Sequence, residues 1–335
     1  MAEYRSNISI ADVARRLGEA KSVIVITHAK PDGDAFGSVV ALAGALRGGQ
    51  RQVNAWFAPP VPESLAILCG AELVDLFENG STFGEADLVV VVDTGAASQL
   101  APMFAQLEPH LPHTLIIDHH LTGDLPAQWR YIDGEAAACC EIVAAVLDEM
   151  GIGLNDPVVS EALFVGIASD TGWFRFSNTR SNTHKLAARL LSAGVNHSQL
   201  YVQLELNERA EKLALMSRAL DSLQLLAGGS VAVMVLRAED FVETGADVSE
   251  TERFVDIPQV VASVQTVVLI TQPSATDDDD QPAIRLSFRS KPGDGACNVA
   301  DVAGLFGGGG HARAAGARVA EPLDRVIRRV TEAVS

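Results

Sequence analysis

Residues 22–46 read SVIVITHAKPDGDAFGSVVALAGAL. The opening Ser22–Thr27 is a β-branched run of strand length, and such runs suit a buried pleated surface. A short polar loop follows, with Pro31 and Gly33 to turn the backbone. From Asp34 to Leu46, Phe36, Val39, Val40, Ala43 and Leu46 recur at helical spacing, and Gly48–Gly49 stands behind them as a stop. Outward from this strand–loop–helix the same alternation repeats. Gln52–Phe57, Leu88–Val92 and Thr114–Ile117 read as short strands. Pro62–Cys69, Ala137–Met150, Pro157–Ala168 and Thr183–Ala193 read as helices, the last with Gly194 behind it. Strands alternating with helices predict an α/β fold whose mainly parallel sheet is covered on both faces. In such sheets ligands gather at the carboxyl ends of the strands.

From His197 to Leu226 the sequence is a charge-laced, amphipathic helical stretch ended by Gly228–Gly229, with the length of an inter-domain helix. A smaller α/β region follows. Strands are expected near Val231–Leu236, Thr266–Thr271 and Ala283–Phe288, and helices near Asn298–Phe306 and Leu323–Val334. A length of 335 residues suits two domains. The expected division is 1–196 for the parallel-sheet domain, 197–229 for a helical linker and 230–335 for the second domain. The acidic run Asp277–Asp280 reads as a solvated hairpin tip.

Composition limits the function classes. A hydrophobic share of 48% against 20% charged excludes a chain disordered throughout. The first ten residues are polar and the longest apolar runs are strand-length, short of the ~18 residues a membrane helix needs. A cytoplasmic protein without a membrane partner is therefore expected. Cys69, Cys139, Cys140 and Cys297 form no C-x-x-C pair, so they read as small residues in a reducing compartment rather than as a zinc site. The formal charge of −18 argues against coating of duplex nucleic acid, which needs many Lys and Arg phosphate contacts. It leaves room for a small phosphate-bearing substrate in a locally positive cleft.

The chemistry-bearing residues sit where the strands end. His28, Asp32 and Asp34 follow the first strand, Asp93-Thr94-Gly95 closes another and Asp118-His119-His120 the next. Asp170-Thr171-Gly172 follows an apolar helical run and leads into Trp173-Phe174-Arg175-Phe176-Ser177-Asn178-Thr179. The bland reading of the first cluster is a turn with Asp34 as helix N-cap. A calcium loop fails, because counting from Asp32 the position requiring a bidentate Glu is Ala43. Far downstream, Gly307-Gly308-Gly309-Gly310-His311 exposes backbone N–H groups of the kind that cradle phosphate, with a flexible loop as the plain alternative. Around it, Arg285, Arg289, Lys291, Arg313 and Arg318 outnumber Asp294 and Asp301, an excess that suits an anionic ligand.

Asp32, Asp34, Asp93 and Asp170 in one cleft would repel one another and take up protons. Two divalent cations restore neutrality, and six ligands with one shared carboxylate suit two ions roughly 3.5–4 Å apart, the arrangement for in-line phosphoryl displacement. Nitrogen and oxygen donors without thiolate favour Mn²⁺. The two Asp-Thr-Gly triplets mimic aspartic-protease half-sites, but those belong to an all-β fold and need no histidines. A non-catalytic nucleotide sensor on the same scaffold would be expected to lack a ligand, and none is missing.

Taken together, HAKPDGD (28–34), VVDTG (91–95), DHH (118–120) and DTGWFRFSNT (170–179) resemble the DHH phosphoesterase superfamily. The match is to its nanoRNase and 3′-phosphoadenosine-5′-phosphate (PAP) phosphatase branch, which includes cyclic di-AMP-degrading members. FRS (288–290) and GGGGHARAAG (307–316) look like that family's substrate-binding, DHH-associated domain, so the resemblance spans roughly residues 10–320. It implies that His28 and Asp32 hold one ion, that Asp34, His119 and Asp170 hold the other, and that Asp93 bridges them. Asp118 would orient a ligating histidine and His120 would contact the scissile phosphate. Arg289, Ser290, Gly308, Gly309, Gly310 and His311 would hold the other phosphate or the nucleoside, with Arg175 and Asn178 lining the cleft between domains. The substrates implied are very short RNA, pApA or pGpG, cyclic di-AMP and PAP, and the assembly implied is a homodimer.

Overall fold

The computed structural model describes residues 4–47, 51–273, 283–293 and 297–334; the Gly48–Gly49 pair and the Asp277–Asp280 run lie outside them. The chain divides into two compact units, Met1–Asn207 and Glu208–Ser335.

The first unit is built on six strands: β1 (Ser22–Ile26), β2 (Gln52–Phe57), β3 (Asp75–Leu76), β4 (Leu88–Val92), β5 (Thr114–Asp118) and β6 (Trp129–Ile132). They lie in the order β3-β2-β1-β4-β5-β6, and every neighbouring pair is parallel. The apolar runs are continuous because the sheet has a core on each face. Val23, Val25, Val90, Val92, Leu115 and Ile117 enter one, while Ile24, Ile26, Val89, Val91 and Ile116 enter the other. The winding direction reverses between β1 and β4, and in open parallel sheets the crevice at such a reversal is the ligand-binding position.

Helices α1 (Ile10–Glu19), α2 (Gly33–Arg47), the one-turn α3 (Glu63–Ala66) and α4 (Phe104–Leu107), α5 (Cys139–Glu149), α6 (Pro157–Asp170), α7 (Ser181–Ser192) and α8 (His197–Glu205) complete this unit. Helix α2 is buried almost all round, which explains its weak amphipathicity. It can lie against α6 because Gly37 has no side chain: a Cβ there would stand 2.3 Å from the Ala162 carbonyl oxygen. Helix α6 runs on to Asp170, two residues past the expected end, so that carboxylate rides on a helix terminus. The unpaired edge of β6 is covered by the segment before α1. Ser6 Oγ donates to Ile132 O and accepts from Ile132 N, and Asn7 exchanges hydrogen bonds with Arg130 in the same way.

Helix α9 (Ala210–Asp221) opens the second unit. Its sheet comprises β7 (Gln224–Leu226), β8 (Val231–Leu236), β9 (Thr266–Thr271), β10 (Ile284–Ser290), β11 (Gly309–His311) and β12 (Ala314–Val319) in the order β11-β12-β10-β9-β8-β7. Only β8 and β9 pair in parallel. Helices α10 (Ala238–Thr244), α11 (Val299–Gly304) and α12 (Leu323–Val334) cover it. α12 buries Leu323, Val326 and Val330 on one face while α9 buries Leu215 and Ala219 on the other.

Two expectations need correction here. The single helical stretch from 197 to 226 is two helices and a strand, and no separate linker at 197–229 stands between the units. Leu200 of α8 is buried in the core of the first unit and Leu215 of α9 in a core of the second. Arg209 fixes the restart, with its guanidinium against Asp247, Glu250 and the Gly245 carbonyl. The glycine run is no open loop either. Gly309–His311 is a strand paired antiparallel to β12, with Gly310 opposite Ala315. No helix among the described residues is long and apolar enough to cross a membrane.

Candidate metal centre

The loop after β1 brings His28 and Asp32 to the crevice, and β4 delivers Asp93. β5 ends on Asp118, followed by His119 and His120, and α6 ends on Asp170. Asp32, not Asp34, caps α2: its Oδ1 accepts from the N–H groups of Asp34 (3.1 Å) and Ala35 (3.0 Å). Asp34 is fully buried and caps a different helix, its two oxygens accepting from Cys139 N (2.5 Å) and Cys140 N (2.9 Å) at the start of α5. The positive end of that helix helps a buried carboxylate stay in place.

Asp93 lies between the two histidines. His28 Nε2 is 3.5 Å from its Oδ2 and His119 Nε2 is 3.4 Å from its Oδ1. Its backbone sits at φ +61°, a region costly for a residue with a Cβ and found where geometry is over-determined by its surroundings. His119 Nε2 also faces Asp170 Oδ2 at 3.3 Å and Asp34 Oδ2 at 3.9 Å. On the far side of each ring, Nδ1–H donates to a carbonyl, Ala29 for His28 (3.1 Å) and Ala136 for His119 (3.4 Å). This fixes the tautomer that leaves Nε2 without a proton, the form that ligates metals.

Ring lone pairs and carboxylate oxygens thus converge with no hydrogen between them, and buried Asp93 Oδ1 has no hydrogen-bond partner. Such a set must be filled by protons or by cations. Without cations, protons fill it. Burial pushes both histidines down, but the bond to Asp93 and the surrounding carboxylates outweigh this, lifting His28 to about 9 and His119 to about 10. Burial and the Asp93 charge raise Asp34 well above the carboxylate range and Asp170 to about 7. Asp93 is the exception: burial raises it, but its two histidine partners hold it low. Donor atoms of His28, Asp32 and Asp93 lie within 4.8 Å of one another, as do those of Asp34, His119 and Asp170 and those of Asp93, His119 and His120. The residues fit divalent cations, and Asp93 lies beside His28 of one group and His119 of the other.

Fully buried Asp118 turns away from this cluster. Its Oδ1 accepts from His120 Nδ1 (2.8 Å) and His120 N (3.1 Å), and its Oδ2 from the Tyr4 hydroxyl (2.8 Å). The Asp118 bond, offset in part by burial, raises the half-exposed His120 ring above its ordinary value. Tyr4 carries no sequence signal, since its partner lies 114 positions away.

Other expected contacts are spent locally. Asn178 Nδ2 donates to Ala137 O (3.0 Å) and Asp170 O (3.1 Å), so its amide ties the loop after Asp170 to the start of α5. Arg175 is exposed, with Nε donating to Gly172 O. In the second unit Arg289 pairs with Asp256 at 3.3 Å, and the Ser290 hydroxyl donates to Cys297 O (2.8 Å) and Ala312 O (3.3 Å). Ser290 therefore braces the chain beside β10. Gly308 is packed, since a Cβ there would stand 2.1 Å from Gly316 O, whereas Gly309, Gly310 and His311 are exposed on the edge strand.

The family model for the N-terminal domain of the DHH family matches residues 22–167. The chain is 30% identical over 318 residues to the "bifunctional oligoribonuclease and PAP phosphatase NrnA" of Thermus thermophilus, covering 93% of this chain and 89% of that protein. Among solved structures, an exopolyphosphatase-related protein from Bacteroides fragilis superposes with a TM-score of 0.86 at 23% identity, covering 97% of this chain and 94% of that one. RecJ from Thermus thermophilus in complex with Mn²⁺ has the fold at a TM-score of 0.56 and 16% identity, covering 96% of this chain and 54% of RecJ. With a relative this similar over nearly its whole length, and with the family's His and Asp blocks meeting at the switch point of a parallel sheet, the chain belongs to the DHH family of metal-dependent phosphoesterases.

Proposed function

We propose that this protein hydrolyses very short oligoribonucleotides such as pApA and pGpG, and also PAP and cyclic di-AMP, releasing mononucleotides with the help of two divalent cations, Mn²⁺ above others. The observation that carries the reading is the gathering of His28, Asp32, Asp34, Asp93, His119 and Asp170 into adjoining three-residue groups, with a buried Asp93 oxygen left without a hydrogen-bond partner. The oligoribonuclease and PAP phosphatase relative and the Mn²⁺ complex of RecJ support the substrate and metal classes. Cations at this site would activate a water at neutral pH and stabilise charge on the attacking and leaving oxygens. His28 and Asp32 would hold one, Asp34, His119 and Asp170 would hold the other, and Asp93 would serve both.

The protein's own groups do the rest. Backbone donors from α5 hold Asp34 and carbonyls hold the two rings, so the cluster is oriented before substrate arrives. His120 donates from Nε2 to a phosphate oxygen while Asp118 fixes its ring. Arg289, His311 and the glycine edge of β11 contact the substrate's other phosphate, for which Arg289 exchanges Asp256. The test is a side-by-side rate comparison of pApA, pGpG, cyclic di-AMP and PAP in Mn²⁺, for wild type and Asp93→Ala. Turnover of at least one in the wild type and none in the variant is expected. Activity that survives complete chelation of metal sinks the reading.

A further inference from the structure

Asp118 holds His120 through Oδ1 and takes a third residue, Tyr4, on Oδ2. We propose that Tyr4 is a positioning residue for phosphoester cleavage, acting through Asp118 to hold the His120 ring. The inference rests on the reading of His120 as the phosphate-contacting group.

Three observations carry it. The first is the hydrogen-bond chain. Asp118 is fully buried, and its Oδ1 takes two donors from His120 while its Oδ2 takes one, the Tyr4 hydroxyl at 2.8 Å. A carboxylate held on both oxygens cannot rotate about its terminal torsion. With Oδ2 left bare in a dry site it would be driven to turn, and that change releases the His120 ring.

The second is a slot made for the Tyr4 ring. A Cβ on Gly95 would stand 1.9 Å from the Tyr4 hydroxyl oxygen, and a Cβ on Gly123 would stand 2.4 Å from the ring and 2.8 Å from Gly95 O. Neither glycine has the positive φ that calls for glycine on backbone grounds. Their lack of a side chain serves the tyrosine. Gly95 belongs to the Asp93-Thr94-Gly95 turn, so the slot is cut into the metal-site loop itself.

The third is the anchoring of the segment that delivers Tyr4. Ser6 and Asn7 reproduce strand-like hydrogen bonds along β6, with Asn7 Nδ2 donating also to Gln128 O at 3.0 Å. Two residues beyond this clip, the chain places a phenol against a carboxylate at the end of β5. Burial and the Asp118 charge both raise the Tyr4 hydroxyl above its ordinary range, so it serves as a donor at any working pH.

The experiment uses the full chain with Mn²⁺ and pApA. Tyr4→Phe keeps the ring in its slot and deletes the hydroxyl alone. We expect kcat to fall roughly 10-fold or more, the scale of one lost hydrogen bond to a charged group, with KM within about twofold and metal content unchanged. In a His120→Gln background the same change should cost nothing further, because its effect passes through His120. In the Mg²⁺-loaded protein, the downfield proton on His120 Nδ1, identified by its loss in His120→Gln, should shift or broaden in Tyr4→Phe. Gly123→Ala, whose Cβ would push the ring and with it the hydroxyl away from Asp118, should reproduce the kcat loss if Tyr4→Phe proves too unstable to assay. Wild-type kcat in Tyr4→Phe or in Gly123→Ala overturns the proposal, as does an equal loss in the His120→Gln background. Those results leave the role of His120 standing. Full activity of His120→Gln itself would instead remove the reading on which the proposal rests.

Discussion

Asp170 shows at the residue scale why this protein needs cations. Its carboxyl ends a helix that gives it no donor, and burial together with Asp93 and Asp32 lifts it to about 7. At pH 8 without metal it is an ionised group that the fold would be more stable without. Asp170→Asn should therefore melt higher than wild type in EDTA and lower in saturating Mn²⁺, where the wild type gains ligand-binding stabilisation that the variant loses. Thermal scans of both proteins in both buffers test this, and a shift of one sign in both would exclude Asp170 as a ligand. Asp87 is the opposite case. Its exposed carboxylate accepts from Lys21 N (2.8 Å) and Ser22 N (3.0 Å) at the head of β1, and these bonds depress it. A depressed carboxylate contributes stability that is complete above its unfolded value of about 3.9 and is lost as pH falls through the folded value. Asp87→Asn should lower the melting temperature at pH 7, and the gap should close below roughly pH 4.

At the scale of elements, the close packing of α2 on α6 gives the next prediction. A Cβ at Gly37 would meet the Ala162 carbonyl at 2.3 Å and Cys140 Sγ at 2.8 Å, and both sit in rigid helices. Gly37→Ala should cost about 1–3 kcal/mol in denaturant unfolding despite the better helix propensity of alanine. Elements like α2 and β4 were legible in the sequence because period and burial agree within a few residues: LVVVV has a single solution in a sheet buried on both faces. That the candidate ligands would lie together was legible for a related reason, since each lies at or near a strand or helix terminus that local pattern locates. Other elements were not. β11 has glycines where strand propensity would ask for branched residues, and it is a strand only because Ala314–Val319 offers a partner. The break between α8 and α9 contains no glycine or proline, and only Asn207 stands there as a weak stop. The capping role that the bland reading gave to Asp34 belongs to Asp32, because α5, more than a hundred residues later, claims both oxygens of Asp34.

At the scale of the whole molecule, charge and substrate size have to be separated. A chain of net charge −18 repels any polyanion, and it repels a 20-mer more than a dinucleotide. A preference for short substrates in low salt would follow from that alone. The proposed function asks for something else: phosphate contacts from Arg289 and His311 that gauge length, an effect of size rather than field. Ionic strength divides the two, because the Debye length falls from about 10 Å at 0.1 M to about 3 Å at 1 M. Measured as kcat/KM in Mn²⁺, the advantage of pApA over an RNA 20-mer should shrink as salt rises and then level off well above unity. Arg289→Ala should lower that plateau, while leaving the slope with salt largely intact, since it removes one contact from a chain with 43 acidic residues. A ratio that decays to unity by 0.5 M salt would mean that repulsion alone makes the choice. The basic residues around β10 and β12 would then have to be read as compensation for the acidic remainder of the chain, not as a gauge.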